Sequence, residues 1–249
     1  MSLSETTTYF TFINSIQKVS LMAVKKGLFK TSVGRKNLMA FTGLFIIFFL
    51  VIHLVGNLIL ILPNSFFPVE FWGGVESTHD MYNAYSHFLV SFWPVTIVAW
   101  VLYAAIAIHV IDALLLTLKN RKSRGEKYQV TDNSTSSWHS RNMGILGTVI
   151  GVFIVLHMAQ FWLPYKVLQV EHDLYDLVFA TFKVWWYVLI YELGIIALGF
   201  HLVHGIESAH RSLGFYPKKV MQVIKLIALY FSMVMAILYA IIPIILYFK

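Results

Sequence analysis

Long uninterrupted runs of apolar residues alternate along this chain with short polar segments, and each run is long enough to cross a bilayer, which takes about 20 residues of helix. Five such runs stand out: Leu38–Leu62, Leu89–Leu118, Met143–Pro164, Phe182–His210 and Gln222–Phe248. Pro63, Pro164 and Pro217 fall at or just past their edges, where helices are expected to stop. The pattern predicts an all-α membrane protein of five transmembrane helices over residues 38–249, preceded by an arm at 1–37. An amphipathic, surface-lying helix around Phe10–Phe29 is a weaker expectation. No repeat and no cleavable signal peptide is apparent.

Composition agrees. Hydrophobic residues make up 58% of the 249 positions and charged ones 12%, about half the share usual in a soluble domain. Mean hydropathy is +0.71. The chain has no cysteine, which excludes disulfides, thiolate zinc sites and an iron–sulfur cluster of its own.

The net charge of +7 is spread between the apolar runs, which speaks for orientation and against nucleic-acid binding. Lys18, Lys25, Lys26, Lys30, Arg35 and Lys36 precede the first run. Lys119, Arg121, Lys122, Arg124, Lys127 and Arg141 fill the second connection, and Arg211, Lys218 and Lys219 the fourth. The first connection has Glu70, Glu76 and Asp80 and no Lys or Arg; the third sets Lys166 against Glu171, Asp173 and Asp176. The positive-inside rule then places the N-terminus in the cytoplasm and the C-terminus outside.

Each of the first four runs carries one deep histidine, and the fifth carries none: His53, His109, His157 and His201. Ionisable side chains at such depth are costly and mark function by default. His53 and His157 lie 16 and 15 residues beyond Asn37 and Asn142, and His109 and His201 lie 10 residues from Lys119 and Arg211. At ~1.5 Å per residue, the first pair sits ~23 Å from the cytoplasmic edge and the second ~15 Å. Two imidazoles at one height on different helices are what a bis-histidine haem requires, with both axial positions filled and electron transfer as the work left to the iron. Small residues near them suit a flat ring: Gly194, Ala197, Gly205 and Ser208 near His201, Gly56 near His53, Ala105 and Ala113 near His109, and Gly144, Gly147 and Gly151 on the third helix. The bland alternative is that the histidines bond neighbouring helices and the small residues serve helix packing.

The stretches TGLFIIFFLVIHLVGN (Thr42–Asn57), AIHVIDALLLTLK (Ala107–Lys119), SRNMGILGTVIGVFIVLHM (Ser140–Met158) and GFHLVHGIESAHRSLG (Gly199–Gly214) resemble the cytochrome b anchor of succinate dehydrogenase and fumarate reductase, in its single-chain, five-helix, di-haem form. The resemblance spans about residues 32 to 216. It implies two haem b groups, the outer held by His53 and His157 and the inner by His109 and His201. The fourth helix offers two candidate ligands, His201 and His204, one turn apart on one face; the resemblance points to His201, and His204 would then be a neighbour of the haem or a propionate contact, with Arg141 and Arg211, and Arg35, Lys36 and His210, as further propionate candidates. It also implies a flavoprotein subunit with covalent FAD and an iron–sulfur subunit on the cytoplasmic face, so that the chain serves respiratory complex II of the tricarboxylic acid cycle, or fumarate reductase, in a bacterial inner membrane. The substrate on the membrane side would be a quinone, menaquinone by the same resemblance. Quinone chemistry moves protons and needs a titratable group nearby; the candidates are Glu76, Glu192 and His79, with Glu70 and Asp80 beside them. Asp112, one turn from His109, is a candidate orienter of that ligand. Some family members carry a glutamate just before the fourth-helix ligand, linked to proton movement; here Leu198, Gly199 and Phe200 stand there, which puts that route in doubt. The alternatives are a cytochrome b serving a formate dehydrogenase or hydrogenase, and a haem-free membrane protein.

Overall fold

The computed structural model describes residues 31–63, 66, 77–123, 138–170, 173–214 and 217–249. Among these residues the chain is helical with no strand. The α-helices are α1 (Ser32–Leu58), α2 (Thr78–Ser91), α3 (Trp93–Ser123), α4 (Trp138–Arg141), α5 (Met143–His157), α6 (Leu174–Phe182), α7 (Trp185–Ser212) and α8 (Lys218–Phe248). A 3-10 turn, Ile59–Ile61, extends α1, and a π-helix, Met158–Val167, extends α5. Five segments are long and apolar enough to span a membrane: Val33–Ile61, Trp93–Leu118, Met143–Val167, Trp185–Ser212 and Lys219–Phe248. Their most apolar windows bury only 11–28% of their residues within the protein. Trp100, Val155, Ile145 and Phe48 instead point outward. Aliphatic and aromatic side chains facing out on five long helices define a multi-pass membrane protein, because only lipid accepts such a surface without penalty. The Phe10–Phe29 helix, Glu70, Glu76 and Glu171 lie outside the described residues.

Five predicted boundaries shift for local reasons. The second span starts at Trp93, not Leu89, because Pro94 has no N–H to continue the ladder onto the Val90 carbonyl, and Phe92 turns extended. The freed Val90 oxygen accepts from Lys166 Nζ at 3.0 Å instead. Leu89 therefore belongs to α2, a separate helix whose N-cap, Ser77, accepts from the Asp80 N–H. At the far side, Phe182 ends α6; a turn at Lys183–Val184 lets α6 bury Val178, Thr181 and Phe182 before the fourth span begins at Trp185. Pro164 does not stop the third span. The helix widens to π register ahead of it, and the Leu168 N–H reaches back five residues to the Leu163 carbonyl at 2.9 Å. At the N-terminal side α1 begins at Ser32, capped by Thr31 Oγ1 accepting from the Gly34 N–H at 3.0 Å, so Arg35 and Lys36 sit in its first turn. The fifth span likewise starts directly after Pro217 rather than at Gln222.

Packing centres on α7, which contacts α8, α1 and α5; α1 in turn contacts α3. Among the described residues, α1 with α5 and α3 with α7 are not in comparable backbone contact. α3 and α5 are likewise not in comparable contact among the described residues, so the four histidine-bearing helices form an open bundle, in contact in the order α3, α1, α7, α5, with α1 facing α5 and α3 facing α7 across two diagonals. α8 lies outside against α7 and α1, sending Tyr239 in to donate to the Leu50 carbonyl at 2.7 Å.

Candidate functional site

The histidines meet across these two diagonals. His53 of α1 and His157 of α5 have ring centroids 5.8 Å apart with planes at 89°. His109 of α3 and His201 of α7 have centroids 6.2 Å apart at 66°. The pairs are those that counting depth along each helix predicts. A metal held by one imidazole on each side, at ~2 Å per bond, sets the two centroids ~6 Å apart. Both spacings suit that arrangement, and in neither pair do the two helices pack directly against each other.

The histidines differ in how they are held. Thr42 Oγ1 lies 2.9 Å from the Leu38 carbonyl and 3.1 Å from His109 Nδ1. Its single proton goes to the carbonyl, which can only accept, so the oxygen accepts from His109 Nδ1–H. The lone pair is then on Nε2, the nitrogen free to bind metal. Gly43 eases this fit, since a Cβ there would sit 3.2 Å from His109 Cε1 and press the ring back by a few tenths of an ångström. His201 Nδ1 is buried and has no hydrogen-bond partner, a costly state for a ring that serves only structure. His157 Nδ1 is 3.2 Å from the Tyr191 hydroxyl. His53 stacks on Phe49 (5.3 Å, 20°), and the Asn57 amide, which donates to the His53 carbonyl at 2.7 Å, also lies 3.4 Å from its Nδ1. Tyr82 donates to Asn57 Oδ1 at 3.3 Å.

The small residues divide. A Cβ on Gly147, Gly151 or Gly205 would meet nothing within 4 Å, which leaves open space along α5 and beside His201 on α7. Gly56 and Gly194 do not serve a flat cofactor in this way: the Tyr85 ring fills the space at Gly56 and the Phe153 ring that at Gly194, each within 3 Å of a would-be Cβ. Phe153 in turn meets Tyr191 edge-on at 5.1 Å.

Of the remaining predicted residues, His204 lies half-buried one turn beyond His201. Arg211 pairs with Glu207 of its own helix at 3.4 Å and Arg141 is exposed at the end of α4. His210 donates to the Ile206 carbonyl at 2.8 Å. Asp112 is buried with Oδ2 unpartnered, and Glu192 has a buried, unpartnered Oε1. His79 is at the start of α2, on the rim of a cavity of about 450 Å³ lined also by Ile61, Leu62, Pro63, Ser77, Tyr175 and Lys249. There His79 Nε2 is 2.7 Å from Asp173 Oδ2, and its Nδ1 is 3.2 Å from Asp80 Oδ1. The bond to Asp80, with that to Asp173, holds the imidazole above its usual pKa. Burial pushes the Asp173 carboxyl up, but the Asp176 N–H, the Asn83 amide and His79 outweigh it and hold Asp173 below the usual range.

A second cavity, about 290 Å³, lies between the π-helix and α7, lined by Leu156, Ala159, Gln160, Trp186, Tyr187, Ile190 and Tyr191. Gln160 and Tyr191 were legible as signals: an amide inside a span and a phenol in an apolar run both need partners. Gln160 donates to Thr181 Oγ1 at 2.9 Å, and Tyr191 meets His157.

No family model, curated protein or solved structure matches the chain. Fold and site together define a multi-pass helical membrane protein with two histidine pairs stacked inside its bundle.

Proposed function

We propose that the chain is a di-haem cytochrome b that anchors a succinate:quinone oxidoreductase in a bacterial inner membrane and carries electrons between its iron–sulfur subunit and membrane quinone. The observation that carries this is the pair of histidine pairs, each at the spacing of two axial ligands and each bridging helices that do not pack directly. Haem b supplies reversible one-electron chemistry when both axial positions are filled. His109 and His201 would hold the inner group, and His53 and His157 the outer. Thr42 fixes the His109 tautomer, and Tyr191 steadies His157. The Lys- and Arg-rich connections put the His109–His201 end at the cytoplasm, where the flavoprotein with its FAD and the iron–sulfur subunit dock. Quinone, menaquinone by resemblance, is handled at the His53–His157 end. Both cavities open there, one bordered by His79 and the other by Gln160 and Tyr191. Glu192 lines neither of them.

The deciding experiment is the alkaline pyridine spectrum of the purified protein, expressed per polypeptide. Two b-type haems are expected, falling to one in His157→Ala. A folded but colourless protein would overturn the proposal and return the four histidines to helix packing. Co-purification with formate or hydrogen-oxidising activity in place of a flavin-bearing subunit with succinate activity would reassign the partners while keeping the haems.

A further inference from the structure

We propose, independently of haem binding, that His79, Asp173 and Asp176 form a binding site for a divalent transition-metal ion, Zn²⁺ by donor chemistry, that fastens α2 to α6. The three donor atoms are already assembled. His79 Nε2 lies 2.7 Å from Asp173 Oδ2 and 3.9 Å from Asp176 Oδ1, and all three atoms are within 4.8 Å of one another. Tetrahedral bonds of 2.0–2.1 Å place donor pairs ~3.3 Å apart, so the two measured separations straddle the requirement. Closing the set asks for movement chiefly of the exposed Asp176 side chain, whose Oδ1 starts 3.9 Å from His79 Nε2 and within 4.8 Å of the other donors.

Each ligand is also aimed. Asp80 Oδ1, 3.2 Å from His79 Nδ1, accepts the proton on that nitrogen and turns Nε2 towards Asp173 and Asp176. A carboxylate behind the imidazole is the usual support of a zinc-bound histidine. Asp173 Oδ1 accepts from the Asp176 N–H at 2.9 Å and from Asn83 Nδ2 at 2.8 Å, which immobilises the carboxylate and leaves Oδ2 for the metal. In the ion-free protein His79 Nε2 and Asp173 Oδ2 share a hydrogen bond that the metal replaces. The ring of Tyr175 packs on His79 at 5.1 Å and limits its rotation.

Charge and donor type select the ion. Two carboxylates neutralise a divalent cation, and the imidazole nitrogen favours Zn²⁺ over Ca²⁺ or Mg²⁺, which take oxygen ligands. Because the ligands come from the starts of two helices that flank different connections, occupancy ties those connections together beside the cavity.

The test is isothermal titration of Zn²⁺ into the full-length, detergent-solubilised protein after chelator treatment, with Ca²⁺ in parallel. One Zn²⁺ per chain is expected, with thermal unfolding shifted upward, and Ca²⁺ at least 100-fold weaker. Asp176→Asn should weaken Zn²⁺ binding at least tenfold, while the side chain's exposure keeps the fold and the Asp173 cap intact. Asp80→Asn should cost about 10–100-fold through the lost support of His79. His79→Gln should abolish the site. Equal affinity for Ca²⁺, or Zn²⁺ binding that Asp176→Asn and His79→Gln leave unchanged, would overturn the assignment. Haem content read on the same samples is independent of every arm.

Discussion

Gly194→Ala is the sharpest probe of how the outer histidine pair is held. A Cβ built on Gly194 lies 2.5, 2.6 and 3.0 Å from three atoms of the Phe153 ring, so the ring must retreat by about an ångström to reach ordinary contact. It cannot do so alone. Phe153 is wedged edge-on against Tyr191 at 5.1 Å and tilted against His157 at 5.9 Å, and Tyr191 also meets Phe182 at 4.9 Å. Any retreat therefore displaces the Tyr191–His157 contact. Forcing one methyl into packing of this kind costs about 1–3 kcal/mol. Gly205→Ala, with no protein atom within 4 Å of its Cβ, is the contrast: it leaves the protein packing intact, gains up to about 1 kcal/mol of helix propensity, and narrows only the space beside His201, so any spectral change should fall on the inner haem. Both variants would be compared by thermal unfolding in one detergent, with dithionite-reduced difference spectra to follow the haem bands. Gly194→Ala should unfold earlier and perturb only the band lost in His157→Ala. If Gly194→Ala unfolds no earlier than the parent protein, the packing at the α5–α7 contact is not as described.

Other outcomes follow from particular contacts. Thr42→Val keeps shape but leaves His109 Nδ1–H without its acceptor, a loss of about 1–3 kcal/mol; the inner haem should become easier to extract and its midpoint potential should shift, while the outer haem's stays fixed. Leu246→Ala removes a side chain with 0% exposure from the main core and should destabilise by about 2–5 kcal/mol, measured by thermal unfolding. In chelator, the His79 contribution to stability is fully present below the ordinary imidazole pKa of 6.5 and fades as pH rises through its raised folded value. The Asp173 contribution is present above the ordinary 3.8 and fades as pH falls through its lowered one. Both groups are partly solvated, so each contribution should stay near 1 kcal/mol or less; followed from pH 5 to 8, the His79 part should vanish in His79→Gln, while the Asp173 part, held mainly by the Asp176 N–H and the Asn83 amide, lies below that window.

The number of spans is legible in the apolar runs alone, because a run of about 20 apolar residues is stable chiefly in a bilayer, and so are the four helices that carry histidines and the depth of each. Depth follows from a fixed rise per residue, so His53 with His157 and His109 with His201 could be paired by counting. Counting could not reveal that these pairs lie on the diagonals of the bundle, since which helices touch depends on how their outer faces pack, and in a membrane every face is apolar. It could not distinguish the glycines either: Gly194 and Gly205 look alike along α7, yet one is filled by Phe153 and the other is open. Pro94 and Pro164 are the same residue type with opposite outcomes. One ends a helix where the freed carbonyl finds Lys166; the other rides in a widened turn. The meeting of His79 with Asp173, 94 positions away, was beyond any local pattern, because only the folding of α2 against α6 brings a lone histidine to two carboxylates.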